Sequence, residues 1–169
     1  MKLPDSGKRK QFDTGCVREI VQGKGRMDLV PLGVLGTWTN DRFLVSVSNY
    51  VQDGHLRDLW EAFIEFAEME FGDYPSAILE LSKQFEDGAA KYEERNWEKG
   101  MFVHCYIDSA CRHYMKYKRG DKDEPHARAV LWNIICAMWT HVHKPELIDI
   151  PGKENTNECN TGTGYAEFR

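Results

Sequence analysis

A chain of 169 residues is long enough for one domain with a real core and hardly enough for two, so a single domain is expected. Apolar residues at 41% and charged residues at 29% are the proportions of a soluble globular protein, which excludes a fibrous or disordered chain. A formal net charge of −5 argues against a surface built to hold a nucleic-acid polymer or an anionic membrane, so any anion site has to be local.

Residues 1–50 read as a basic, glycine-rich arm and connector. Gly7, Gly15, Gly23, Gly25, Gly33 and Gly36 punctuate it, seven basic residues precede Asp28, and no helical period is sustained. Within it, RFLVSVSNYV over residues 42–51 alternates enough to predict a short strand or one half of a hairpin. From Leu56 the period changes. Leu56, Leu59, Trp60, Phe63, Ile64, Ala67 and Phe71 recur at the three-and-four spacing of one helix face, and Gly72 stops the run. A second helix is predicted after Pro75 with Ser76 as its N-cap and a stripe of Ile78, Leu81, Phe85, Ala89 and Tyr92. A third, over 102–118, buries Val103, Tyr106, Ile107, Ala110, Tyr114 and Tyr117 and ends at Gly120. A fourth begins at Asp123 or Glu124 with Pro125 in its first turn. It is apolar nearly all round from Ala129 to Trp139, as an enclosed central helix would be. Residues 151–169 form a polar tail with little to bury. The expected fold is mainly α: an antiparallel bundle of about four main helices spanning 51–150, with the irregular arm and a possible short strand or hairpin.

No run approaches the ~18 apolar residues of a membrane span, and the basic start MKLPDSGKRKQF lacks the apolar core of a signal peptide. Five cysteines without a CxxC pair read as free thiols of a reducing compartment rather than as a zinc site. A cytoplasmic location is expected, the host cytoplasm if the protein is viral.

Several polar residues are not accounted for by the core pattern. Glu86 and Glu93, seven apart on the second helix with Ala89 and Ala90 between, either hold a divalent cation or form a solvated flank. Asp108 and Arg112 share one flank of the third helix while His113 lies on the other, so the three cannot all face one spot. His126, Asn133 and Thr140 line one face of the fourth helix. Buried in AVLWNIICAMW, the Asn133 amide costs about 1–3 kcal/mol unless paired, so it has either a neighbouring helix or a ligand as partner. Asp121, Asp123 and Glu124 offset the dipole at the start of the fourth helix. In KYEERNWEKG, Arg95, Asn96 and Trp97 are the residue types that pair with phosphate, read a base edge and stack on a base.

The segments DSGKRKQFDTGCVRE, GKGRMDLVP, FEDGAAKYEERNWEKG and DSACRHYMKYKRGDKDEPHARAVLWN together resemble the phage and bacterial family of dATP/dGTP diphosphohydrolase N-terminal domains. The resemblance covers residues 5–32 and 76–140, which makes 33–75 an apparent insertion. It implies a nucleotide pyrophosphohydrolase similar to the helical MazG-like and dimeric dUTPase enzymes, with Mg²⁺ (or Mn²⁺) held by helix carboxylates. On that basis Glu86 and Asp108 are the candidate catalytic carboxylates, and Glu86, Glu93, Asp108, Asp121 and Asp123 the candidate metal ligands. Lys91, Arg95 and Arg112 would take phosphates; Tyr92, Asn96, Trp97 and Asn133 would hold base and sugar, with His113 and His126 in the same nucleotide-binding set. Lys24 and Arg26 of the arm would close over the phosphates or reach a neighbouring subunit. The sequence departs from the MazG-like pattern in having fewer carboxylates, which keeps a second reading open: a viral protein that binds and sequesters a nucleotide or cyclic-nucleotide signal without turnover. A third is a helical interaction protein presenting Asp58, Glu61, Glu65, Glu68, Glu70 and Asp73 to solvent or to a partner. A homodimer or tetramer is expected.

Overall fold

The computed structural model describes residues 7–20 and 23–150; the polar tail expected over 151–169 lies outside the described residues. Six α-helices follow a small hairpin: β1 (Arg9–Gln11), β2 (Val17–Glu19), α1 (Leu32–Thr39), α2 (Arg42–Asp53), α3 (Leu56–Phe71), α4 (Tyr74–Lys91), α5 (Val103–Arg119) and α6 (His126–His143). Short 3₁₀ turns over Met27–Leu29, Asn96–Lys99 and Pro145–Leu147 complete it. The mainly α bundle is as expected. α6 packs against α3, α4 and α5, and Val130, Leu131, Ile134, Cys136 and Ala137 are buried, so it is the enclosed helix. Among the described residues no helix is long and apolar enough to cross a membrane, and Cys16, Cys105, Cys111 and Cys136 are free thiols.

Three expectations are corrected. Residues 42–51 are helical: Phe43, Leu44, Val47 and Tyr50 are buried at helical spacing, Asp41 caps the first turn by accepting from the Leu44 N–H at 3.2 Å, and Gly54 stops it with φ 76°. The V-S-V-S alternation is overridden by those local signals and by packing against α1 and α3. The core therefore begins in the segment assigned to the arm. Gly33 and Gly36 are contact points of α1, not loop punctuation: a Cβ on Gly36 would meet Val45 at 2.9 Å, and one on Gly33 the Ser48 hydroxyl at 2.6 Å. At the start of α4 the N-cap is Asp73 rather than Ser76; its carboxylate accepts from the Ser76 N–H at 2.7 Å.

The hairpin lies in the arm. Antiparallel pairing sets Arg9 opposite Glu19, Lys10 opposite Arg18 and Gln11 opposite Val17, around a turn in which Gly15 takes φ 84°. A two-stranded hairpin is marginal alone in water. Here its outer edge is paired: Val17 N–H donates to the Asn96 Oδ1 at 3.0 Å, and Asn96 Nδ2 donates to the Val17 carbonyl at 3.0 Å. One side-chain amide thus takes the place of a third strand, and it fastens the arm to the segment that follows α4.

Candidate functional site

The fastened hairpin forms one wall of a cleft of about 1200 Å³ whose other walls are α4 with the chain just beyond it, α5 and the first half of α6. Of the residues singled out from sequence, Lys24, Glu86, Lys91, Tyr92, Glu93, Arg95, Asn96, Trp97, Arg112, His113, Asp123 and Asn133 line it; Arg26, Asp108, Asp121 and His126 do not. Arg112 and His113 reach the same cleft despite lying on different flanks of α5, because the cleft wraps that helix.

The anchoring cations come from unexpected places. Arg18, on β2, enters the cleft and donates to the Asn133 Oδ1 at 2.7 Å, with its guanidinium 5.7 Å from the Trp132 ring centre and 5.9 Å from that of Tyr106. This answers what the buried Asn133 amide pairs with: its Oδ1 holds Arg18 and its Nδ2 donates to the Ala129 carbonyl at 2.7 Å. Among the described residues Arg18 has no carboxylate partner. Sequence reasoning passed over it because VRE in a short strand carries no periodic signal; only tertiary contact with a helix 115 residues away marks it. The other cations are engaged. Lys91 Nζ lies 2.9 Å from Glu19, Lys24 Nζ 3.4 Å from the same side chain, and Arg9 at 4.0 Å completes a hub on that carboxylate. Arg95 pairs with Glu98, Arg26 with Asp28 outside the cleft, and Arg112 with Asp108.

Several expected roles change accordingly. Asn96 is consumed by the β2 edge and buried, so it is a clamp and not a reader of bases. Trp97 packs edge-on against Phe85 and Trp139, while Tyr92 lies 5.3 Å under the Arg9 guanidinium. On α4, Gln84 also lines the cleft, and among the described residues its buried side-chain carbonyl has no hydrogen-bond partner.

The carboxylates expected to share a metal do not converge. α4 ends at Lys91, so Glu93 leaves the Glu86 stripe and pairs with Lys99. Asp108 is 3% exposed and turned away from the cleft; it accepts from the Met27 N–H at 2.7 Å and binds Arg112, which pins the Met27–Leu29 turn onto α5. Asp121 is gripped by Arg119, which lowers its pKa. Among the described residues, Glu86, Glu93 and Asp108 belong to none of the clusters of three or more His, Cys, Asp or Glu whose ligand atoms lie within 4.8 Å of one another. An all-carboxylate magnesium site built on those three does not fit this chain.

The clusters that do form on the cleft side involve imidazoles. His113, Glu124 and His126 meet at the junction of α5 and α6, and Asp121 and Asp123 meet His126 on its other ring nitrogen. His113 Nδ1 lies 3.1 Å from His126 Nδ1, each is 3.5 Å from Glu124 Oε1, and Asp123 Oδ1 is 2.8 Å from His126 Nε2. Burial, and after it the nearby Arg18 and His126, hold the His113 pKa well below its ordinary value, so this ring is neutral at pH 7. Hydrogen bonds from Lys116 and then His126 bring the Asp123 carboxyl down to about 2. The sequence gives little warning, since the two histidines are thirteen residues apart on different helices.

A family model described as dATP/dGTP diphosphohydrolase, N-terminal, matches residues 59–150. The match takes in most of α3, so 59–75 is part of the shared domain rather than an insertion, and the hairpin lies outside the matched span. No curated protein and no solved structure matches the chain.

Proposed function

Because the chain belongs to the dATP/dGTP diphosphohydrolase N-terminal domain family, we propose that its cleft binds a purine deoxynucleoside triphosphate and hydrolyses it to the monophosphate and pyrophosphate. Water attacks the α-phosphorus, the bond to the bridging oxygen of the β-phosphate breaks, and pyrophosphate leaves. The observation that carries this reading is Arg18: a guanidinium inside the cleft, oriented by Asn133, flanked by Trp132 and Tyr106, and lacking a carboxylate among the described residues. Its Nη1 makes only long contacts, to the Met101 sulfur at 3.4 Å and the Cys105 carbonyl at 3.5 Å, which a phosphate oxygen would replace with a stronger charge-assisted bond. Arg112 and the Lys24 and Lys91 pair on Glu19 supply further positive charge for the remaining phosphates, and the orphan carbonyl of Gln84 suits the exocyclic amine of a purine. Glu86 is exposed at the cleft wall and takes the proton of the attacking water; Asp108 acts on Arg112 as a positioning residue.

A specific observation supports the second reading, a protein that sequesters the nucleotide without turnover: the carboxylates expected to share one ion stand apart. One experiment separates the two. Protein is incubated with a panel of ribo- and deoxynucleoside triphosphates and divalent metal, and the products are resolved by chromatography while binding is measured by calorimetry. Hydrolysis yielding pyrophosphate, lost in Glu86→Gln with binding retained, supports the enzyme; binding with intact nucleotide recovered supports sequestration. In either case Arg18→Ala weakens binding by about tenfold to a hundredfold, the value of one charge-assisted contact. Unchanged affinity in Arg18→Ala sinks the assignment of this cleft. The homodimer or tetramer is part of the same proposal: Leu29, Val34, Leu35 and Trp38 leave an exposed apolar face on and beside α1 for a second copy to cover.

A further inference from the structure

We propose that His113, Glu124 and His126 form a mononuclear site for a borderline divalent transition ion such as Zn²⁺ or Co²⁺, in place of an all-oxygen magnesium site. The three donor atoms stand at the corners of a triangle with edges of 3.1, 3.5 and 3.5 Å. A point equidistant from them lies about 1.95 Å from each, and an ion about 0.7 Å out of their plane sits about 2.1 Å from all three, the length of a zinc–nitrogen or zinc–carboxylate bond. The donors are thus already spaced as ligands on one ion. Two imidazole nitrogens and one carboxylate select borderline ions over Mg²⁺ and Ca²⁺, which take oxygen.

The shell behind the ligands is also present. Asp123 Oδ1 accepts from His126 Nε2–H at 2.8 Å, which leaves the lone pair on Nδ1 and aims it at His113 and Glu124. His126 is 3% exposed, so its ring is held by packing as well. Lys116 lies 3.8 Å from Glu124 Oε1 but donates to Asp123 at 3.1 Å, and Glu124 keeps lone pairs for an ion. The alternative cluster around Nε2 competes poorly, because Asp121 is already bound by Arg119. His113 and Glu124 line the cleft, which gives an ion a route in and gives a phosphate oxygen a route to it. Three protein ligands leave at least one position open, the condition for a site that meets a substrate rather than one that only holds the fold. The site stands on donor geometry; its service to a nucleotide phosphate rests on the reading given under Proposed function.

The test uses the full-length protein, stripped with a chelator and free of nucleotide, titrated with Co²⁺ and followed by visible absorption, with metal content measured after gel filtration. One equivalent of Co²⁺ with ligand-field bands, displaced by stoichiometric Zn²⁺ and untouched by a hundredfold excess of Mg²⁺, is the expected result. His113→Asn and Glu124→Gln each weaken Co²⁺ binding at least tenfold while their thermal melts without metal stay close to that of the parent. These two variants avoid the buried His126, whose loss threatens folding. No stoichiometric Co²⁺ at micromolar concentration, displacement by Mg²⁺, or unchanged binding in both variants overturns the proposal. Since no nucleotide is present, a protein that binds the ion but no nucleotide defeats the functional reading and leaves the metal site standing; the reverse pattern defeats the site alone.

Discussion

At the scale of single residues, Asn96 and Arg18 exchange the roles their sequence contexts suggest. Asn96 sits in the RNW block, where an amide beside an arginine and a tryptophan suggests base recognition, yet both ends of its amide pair with the Val17 backbone. Arg18 sits in a short alternating stretch that suggests nothing, yet it is the cation oriented into the cleft. Asn96→Ala therefore frees the outer edge of β2 and leaves two backbone groups to water. The expected effect is a loss of about 1–2 kcal/mol, seen as faster hydrogen exchange and proteolysis across residues 9–19 with the helical bundle still folded. Nucleotide affinity falls with it, indirectly, because Arg18 loses its platform. If hydrogen exchange in the hairpin is unaltered, the clamp does not hold the arm.

At the scale of elements, local signals fix helices well where the period and both ends agree. α3 and α5 run over nearly the expected residues because their stripes end at Gly72 and Gly120, each at positive φ. The 42–51 run carried both a period of two and a helical stripe, and only the Asp41 cap and the packing of Phe43 on Phe66 and Tyr114 decide between them. Element ends can also be capped from afar. The start of α5 has no side-chain cap from its own N-cap residue; Asp149, 45 residues on, accepts from the His104 N–H at 3.0 Å and also binds the His104 ring. The other ring nitrogen meets Cys105 Sγ at 3.3 Å. That sulfur contact, with the Asp149 carboxylate behind it, raises the His104 pKa to about 9. A pKa raised in the folded state means that protonated His104 stabilises the fold fully below about pH 6.5 and that the contribution is lost as pH rises through about 9. His104→Gln is expected to cost about 1–2 kcal/mol at pH 6 and much less at pH 9.5, measured by denaturant titration at both values. A penalty that does not shrink with pH refutes the charged form.

At the scale of the whole molecule, α1 carries one group of exposed apolar residues: Trp38 is 86% exposed, with Val34 and Leu35 beside it. α1 packs mainly on α2 through Gly33 and Gly36, so its outer face is left to solvent or to a second copy. Sedimentation of the parent protein at tens of micromolar is expected to give a dimer or tetramer, and Trp38→Lys to shift it to monomer with the helical content unchanged; a monomeric parent removes that proposal. The sequence by itself determined the class of fold, the enclosed helix around Ala129–Trp139 and the ends of α3 and α5, because periodicity and glycine stops act within a few residues of chain. It also carried the family, since ordered blocks such as RNW and the RH pair survive as text. What only the tertiary structure decided is which polar residues work together. Arg18 meets Asn133 across 115 residues, Asn96 meets Val17 across 79, and His113 meets His126 from another helix. A buried polar group takes whichever partner the packing brings within about 3 Å, and spacing along one helix cannot report what stands on the next.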